Sequence, residues 1–341
     1  VSEVLDPSDG SQVAAALLVA LNAAGARAEL VGPPERVTAA TSTSVWFVQL
    51  AGEIPDPWRG PKVLRIFRPD EGDVMNREVA LGAHLLAHSY PIARTRWHGL
   101  LASTHPALLQ ERLAGRPAIE LLATTKLRGV VRGLGSLQAD LHAIDPGHVP
   151  LLRLDGRGYL EHDLARRRAA IVAEDPTGTW EWLLDTADRY SSVENDAPVL
   201  CHGDFHPLNA LVDSDGHIGI VDWTDACVCD RHHDVGRSIA IFWFASLIAE
   251  SALERVGLRL LRDWLGRTHR AAYESRWGSG LNDERLAWWQ VVHLFRGWLQ
   301  LGELAEGTVQ DQQSTTTERL PSDLRDRLLD RCLALRTLAA P

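Results

Sequence analysis

Cysteine is scarce in this sequence. Four thiols in 341 residues do not supply the disulfide framework that small secreted domains use in place of a large core. Cys227 and Cys229 form a C-x-C beside His232 and His233. No second C-x-x-C pair accompanies them, so small residues packing behind a strand explain them better than a zinc centre. Long apolar runs are missing too. Residues 239–248 are strongly apolar, yet far short of the ~20 residues that a membrane-spanning helix needs. Residues 13–21 follow Glu3, Asp6 and Asp9 and not the basic flank of a signal peptide. They read as an Ala-rich amphipathic helix, and the expected location is cytoplasmic, with no membrane partner. A net charge of −10 argues against a nucleic acid as the main partner, because such binding rests on clustered lysine and arginine. A basic cleft for a nucleotide remains compatible with it. No internal repeat is visible.

What is present is the composition of a folded globular protein, 45% hydrophobic and 23% charged, in a chain long enough for two structural units. Its chemistry concentrates in residues 200–234, LCHGDFHPLNALVDSDGHIGIVDWTDACVCDRHHD. A polar loop runs from His202 to Asn209. Residues 210–213 and 217–223 then read as two short strands joined by Ser214, Asp215 and Gly216, since Asp-Gly between apolar runs is a strong hairpin signal. That hairpin would set Asn209 before its first strand and Asp222 at the end of its second. An amide and a carboxylate would thus come close together, with Asp204 on the loop beside them.

Phosphoryl transfer calls for such a set. A divalent metal wants hard oxygen ligands, which the Asn209 amide and the Asp222 carboxylate supply. A second carboxylate, Asp204, orients the attacking hydroxyl and accepts its proton. The D-x-x-x-x-N spacing from Asp204 to Asn209, followed by a later acid, equals that of a kinase catalytic loop. Here the stretch resembles the aminoglycoside/choline phosphotransferase family of kinase-like enzymes. HGDFHPLN matches the family's HGDxxxxN loop, IVDW its metal-binding I-D-W, and DRHHD its downstream D-x-x-x-D, Asp230 and Asp234.

The resemblance carries further expectations. Thr41, Ser42, Thr43 and Ser44 stand where the family's hairpin turn covers the nucleotide phosphates; the turn has no glycine, but backbone N–H groups and small hydroxyls can cradle phosphate. Residues 62–67, KVLRIF, form the strand whose lysine reaches the phosphates in kinases, and Arg65 occupies that position, with Lys62 and Arg68 at the strand ends. Arginine keeps the charge and binds phosphate bidentately, though its fork is longer and planar. Glu78, on a helix over residues 70–88, is the acid expected to pair with it. Gln110, Glu111 and Leu113 fall at the hinge that meets the base, mainly through main-chain atoms. Residues 118–144 read as one helix ending in Leu141-His142, with His142 structural. Asp234 is expected to brace the catalytic loop by accepting backbone N–H bonds, while His206, Asp225 and Asp230 are candidates for the acceptor side. Residues 235–250, 253–275 and 282–304 read as long helices, residues 307–317 as a polar connector and residues 321–338 as a final helix.

The fold class implied is α+β, a bilobal protein-kinase-like fold. A small antiparallel-sheet lobe would span residues 1–113 and a larger, mainly helical lobe residues 114–341. Only eleven residues separate Asp222 from Asp234, which leaves no room for the long activation segment on which protein kinases dock peptides and argues against a protein substrate. The activity implied is transfer of the γ-phosphoryl group of ATP or GTP, with Mg2+, to a hydroxyl of a small molecule such as an aminoglycoside- or macrolide-like antibiotic. Two alternatives stand beside it. One is a metabolic kinase for a sugar, an amino sugar or a choline- or homoserine-like compound; the other is a nucleotide-binding pseudokinase.

Overall fold

The computed structural model describes residues 5–37, 43–169, 175–191, 197–247, 252–305 and 323–339. The chain divides into two compact units. The first comprises Val1–Arg116, His148–Pro150 and Leu211–Thr224, and the second Pro117–Gly147, Leu151–Ala210 and Asp225–Pro341.

The first unit begins with helix α1 (Gly10–Ala23), capped by the Asp9 carboxylate, which accepts from the N–H groups of Ser11 and Gln12. Val13, Leu17 and Leu21 recur at helical spacing and are fully buried. Strands β1 (Arg27–Leu30), β2 (Glu35–Arg36), β3 (Ser44–Glu53) and β4 (Gly60–Ile66) follow. After helix α2 (Gly72–Ala87) come β5 (Thr95–Leu101) and β6 (His105–Glu111). The sheet runs β1-β3-β4-β6-β5, with β2 beside β3, and its named pairs are antiparallel. Trp46, Val48 and Leu50 alternate along β3 and pack with Leu64, Ile66 and the apolar face of α1 into one core. On α2 the buried positions are Met75, Glu78, Leu81 and Leu85. A carboxylate therefore sits where the helical period asks for an apolar residue.

Short strands β7 (Arg116–Pro117), β9 (Ala210–Val212) and β10 (Ile218–Ile220) form a second sheet in the order β10-β9-β7. From Leu211 onward the β9–β10 hairpin groups with the first unit, where the Ile220 amide donates to the Pro91 carbonyl at 2.9 Å. Its turn is closed by the Asp213 carboxylate, which accepts from the N–H groups of Asp215 and His217. The second strand is shorter than residues 217–223. Asp222 takes a left-handed φ of +64°, and the extended run ends before it.

The second unit is mainly helical. Residues 118–144 are not one helix: a 3-10 turn, Ala118–Ala123, precedes helix α3 (Leu127–His142). The break falls at Thr124, whose hydroxyl accepts from the Lys126 N–H, a local bond that competes with helix continuation. Short turns α4 (Gly156–Tyr159) and α5 (Ala165–Ala169) flank a π-helical turn, Leu160–Leu164; helix α6 (Thr179–Ser191), strand β8 (Val199–Cys201) and its antiparallel partner β11 (Cys227–Cys229) follow. The remaining described helices are α7 (Arg231–Leu247), α8 (Ala252–Trp277), α9 (Asp283–Ala305) and α10 (Leu324–Arg336). Their core is built on Trp288, Trp289, Phe295, Trp298 and Leu328. Residues 307–317 lie outside the described residues. No described helix is long and apolar enough to cross a membrane.

Candidate active site

In the first unit, the Arg65 guanidinium is the centre of a buried polar knot. It forms a bidentate pair with the Glu78 carboxylate, and its Nη2 also donates to Asp222 Oδ1 at 3.2 Å and to Thr224 Oγ1 at 3.0 Å. Thr224 Oγ1 in turn lies 3.0 Å from Glu78 Oε1 and 2.8 Å from Asp222 Oδ1, and its one proton serves one of them at a time. One planar fork thus serves three acceptors, a task suited to arginine and not to the point charge of lysine. Burial raises the Glu78 carboxyl above its ordinary value against the pull of Arg65. Burial opposes the charge on Arg65, and Glu78 and Asp222 outweigh it. Lys62 is turned away from this knot, with its Nζ on the carbonyls of Arg59 and Pro61.

In the second unit, β8 delivers the chain to His202, Gly203 and Asp204. Gly203 has a φ of +81°, and a Cβ there would meet the Asp225 carbonyl oxygen at 2.2 Å, so only glycine fits this turn. The fully buried Asp234 carboxylate accepts from the N–H groups of His202 at 3.2 Å and Gly203 at 2.8 Å. It also meets His142 Nε2 at 3.1 Å, while His142 Nδ1 meets the Tyr273 hydroxyl. Burial works against the Asp234 charge, and the bond to His142 with the neighbouring imidazoles overcomes it, holding the carboxyl far below its ordinary value. The loop is held again at Phe205, whose carbonyl accepts from Ser238 Oγ at 2.7 Å; Gln138 and His269 continue this chain of bonds into α3 and α8.

Both oxygens of Asp204 are engaged. Oδ1 accepts from Arg237 Nε at 3.0 Å and lies 2.9 Å from its Nη2. Oδ2 meets His206 Nε2 at 3.1 Å and Asn209 Nδ2 at 3.2 Å. Burial would raise this carboxyl, but Arg237 first and His206 next hold it well below the ordinary carboxylate value. A group so held is a carboxylate at any working pH. It can orient a hydroxyl and take its proton as the oxygen becomes bonded elsewhere.

Each of the two residues expected to hold a metal keeps an oxygen of the kind a hard divalent cation takes. Asn209 spends its amide nitrogen on the Asp204 carbonyl and carboxylate, and its Oδ1 has no hydrogen-bond donor among the described residues. Asp222 likewise commits Oδ1 to Arg65 and Thr224, leaves Oδ2 without a described partner, and has a side chain 41% exposed. Its positive φ is a strained conformation for a residue with a side chain, of the kind that persists where the surroundings fix it.

Other expected positions divide. Ser42 lies outside the described residues, while Thr43 immediately precedes β3 and Ser44 begins it. Gln110 and Glu111 end β6; Glu111 pairs with Arg96 and donates its N–H to the Arg94 carbonyl at 2.9 Å. Leu113 packs against Gly219. His206 keeps its place beside Asp204. Asp225, with a 41% exposed side chain, pairs with Arg296 at 2.8 Å. Asp230 is not on an acceptor surface: it is buried, with Oδ1 on the N–H and Nδ1 of His232 and Oδ2 on Trp289 Nε1 and Arg285. Three residues of this site were not singled out from the sequence, namely Thr224, Arg237 and Arg296. Arg237 carried a usable signal, because Asp234, Arg237 and Ser238 share one helix face at i, i+3 and i+4.

Comparison with known proteins establishes the family and the fold. The sequence profile of the phosphotransferase enzyme family matches residues 35–278, more than half of the chain, and the chain belongs to that family. An aminoglycoside 3'-phosphotransferase of Streptomyces ribosidificus is 30% identical over 162 residues. The match covers 44% of this chain and 61% of that enzyme, so the chain spans a little under two thirds of its relative. Among solved structures, a putative aminoglycoside phosphotransferase from Ralstonia eutropha JMP134 superposes with a TM-score of 0.65 at 15% identity, covering 95% of this chain and 98% of that one. The aminoglycoside phosphotransferase APH(3'')-Id of Streptomyces rimosus, in complex with ADP and streptomycin, superposes with a TM-score of 0.58 at 20% identity, covering 83% and 97%. These two likenesses show the fold, which is that of the kinase-like phosphotransferases.

Proposed function

We propose that this protein transfers the γ-phosphoryl group of ATP or GTP to a hydroxyl of a small molecule, with aminoglycoside- or macrolide-like antibiotics as the acceptor class. The observation that carries the reading is the Asp204 carboxylate, kept ionised by Arg237 on a loop that Asp234 braces from below. Membership of the family and the name of the S. ribosidificus relative support the same chemistry.

In this reading Asp204 Oδ2 exchanges its bond with His206 for the acceptor hydroxyl, orients it for in-line attack and takes its proton. Arg65, fixed by Glu78, carries the positive charge that faces the nucleotide phosphates. Asn209 Oδ1 and Asp222 Oδ2 would hold Mg2+, which when bound neutralises phosphate charge. His206 and Asp225 are the polar groups left to meet the acceptor.

The test is nucleotide turnover with ATP and GTP across a panel of aminoglycosides, macrolides and amino sugars, with and without Mg2+. Acceptor-dependent release of ADP or GDP is the expected result. Mg-dependent nucleotide binding with no turnover on any acceptor would instead favour a nucleotide-sensing pseudokinase.

A further inference from the structure

Helices α3 and α8 lie unusually close. A Cβ on Gly135 would stand 2.3 Å from the His269 carbonyl oxygen, so the two backbones are in direct contact there. Alongside this contact opens a groove of about 730 Å3. Arg128 and Arg132 line one wall from α3, and Arg267 and Arg276 the other from α8, with the hydroxyls of Ser136 and Thr268 between them.

The charge pattern sets this groove apart. In a chain with a net charge of −10, most described arginines are satisfied by a carboxylate, as Arg157 is by Asp188, Arg167 by Glu303 and Arg270 by Glu274. Arg128, Arg132 and Arg267 have no ion-pair partner among the described residues. Arg276 gives its Nε to Asp140 at 2.6 Å, and its terminal nitrogens remain for another acceptor. Four arginines thus line one concavity with the hydroxyl residues Ser136, Thr268 and Ser275 and with Trp264, a lining rich in donors and without a carboxylate residue. Such convergence is self-repulsive unless an anion enters. Guanidinium forks match phosphoryl oxygens bidentately.

We propose that the α3–α8 groove is a binding site for a small soluble polyanion carrying two or more phosphoryl groups, held by Arg128, Arg132, Arg267 and Arg276. The site shares no residue with the Asp204 loop or the Arg65 knot. Its existence does not depend on the phosphotransferase reading. The size of the groove falls within the range of small-molecule sites. Two arginines on each wall require a ligand with charge at both ends, which inorganic phosphate does not have.

The test is isothermal titration of the full chain with inorganic tripolyphosphate in a buffer containing EDTA, so that metal-dependent phosphate binding contributes nothing. The wild type is compared with an Arg132→Ala/Arg267→Ala double variant, and with an Arg27→Ala/Arg189→Ala double variant that removes the same charge elsewhere on the surface. Saturable one-to-one binding is expected. It should weaken at least tenfold in the groove variant, change less than twofold in the control, and decline as ionic strength rises. Circular dichroism and thermal unfolding establish that both variants are folded. Absence of saturable binding to the wild type overturns the proposal. So does an affinity that the groove variant leaves unchanged, or an equal loss in the control.

Discussion

At the scale of single residues, two arginines decide how this site works. Arg65 replaces a lysine's point charge with a fork that binds Glu78, Asp222 and Thr224 together. Truncating it would leave the Glu78 carboxylate buried without its partner. The expected cost of Arg65→Ala is about 3–5 kcal/mol, read from urea unfolding, whereas Arg65→Lys keeps the charge and should lose clearly less. Wild-type stability in Arg65→Lys would show that the charge alone, not the fork geometry, is what the pocket requires. Arg237 acts on Asp204. With Arg237 in place the carboxyl lies well below its ordinary value, so transfer should persist to low pH until folding itself fails. Arg237→Gln removes the largest of the influences that lower the carboxyl, leaving His206 and Arg296 against burial, and the carboxyl rises. Because the base works unprotonated, the acid limb of kcat/KM should move upward by roughly one pH unit or more. A profile that keeps its shape while the rate drops would assign Arg237 a purely structural part.

At the scale of elements, the Asp204 loop, the proposed catalytic loop, is held by a glycine turn and by helix α7. Gly203→Ala brings a Cβ within 2.2 Å of the Asp225 carbonyl at a φ that side chains avoid. The expected destabilisation is at least ~2 kcal/mol, with loss of transfer; a variant of wild-type stability would mean that the loop has room to shift. The same element shows what sequence reasoning reaches. Asp204, Asn209 and Asp222 stood out as candidates because they lie within one short stretch with the spacing that phosphoryl transfer calls for, and the Asp-Gly turn marked the hairpin. Asp230 stands in that stretch too, yet the groups that bury it, Arg285 and Trp289, come from α9 far downstream. No local pattern announces such a partner. The break between residues 118–123 and α3 was hidden for the opposite reason: apolar periodicity continues across it, while Thr124 turns extended and spends its hydroxyl on Leu121 and Lys126.

At the scale of the whole molecule, buried ionisable groups tie stability to pH. Burial pushes His269 down to about 4. Asp230 is held down to about 2, where His232 and Arg285 overcome its burial, and Asp234 lies lower still. All three fall below their unfolded values, so the unfolded chain binds the extra protons, and each contribution is present above the unfolded value and lost as pH falls through the folded one. Unfolding free energy should therefore decline in two stages. The first, from His269, runs between about pH 6.5 and 4 and amounts to roughly 3 kcal/mol; the second, with about 2 kcal/mol from Asp230 alone, runs from about pH 4 toward 2. Urea titrations at half-unit steps would show it, and a stability flat from neutrality to pH 4 would contradict the first stage. The α+β fold was legible through the family that the central motifs resemble, and the expectation of two structural units came from the length of the chain. The arginine groove between α3 and α8 was not, because its walls are separated in sequence and come together only through tertiary packing, closest at Gly135. The measurement that bears most directly on the proposed function is phosphoryl transfer by Asp204→Asn, followed by mass spectrometry of the acceptor alongside titration with nucleotide and Mg2+. Transfer should fall by about a hundredfold or more while nucleotide affinity stays within about twofold of wild type; transfer at the wild-type rate would contradict the assignment of Asp204 as the base.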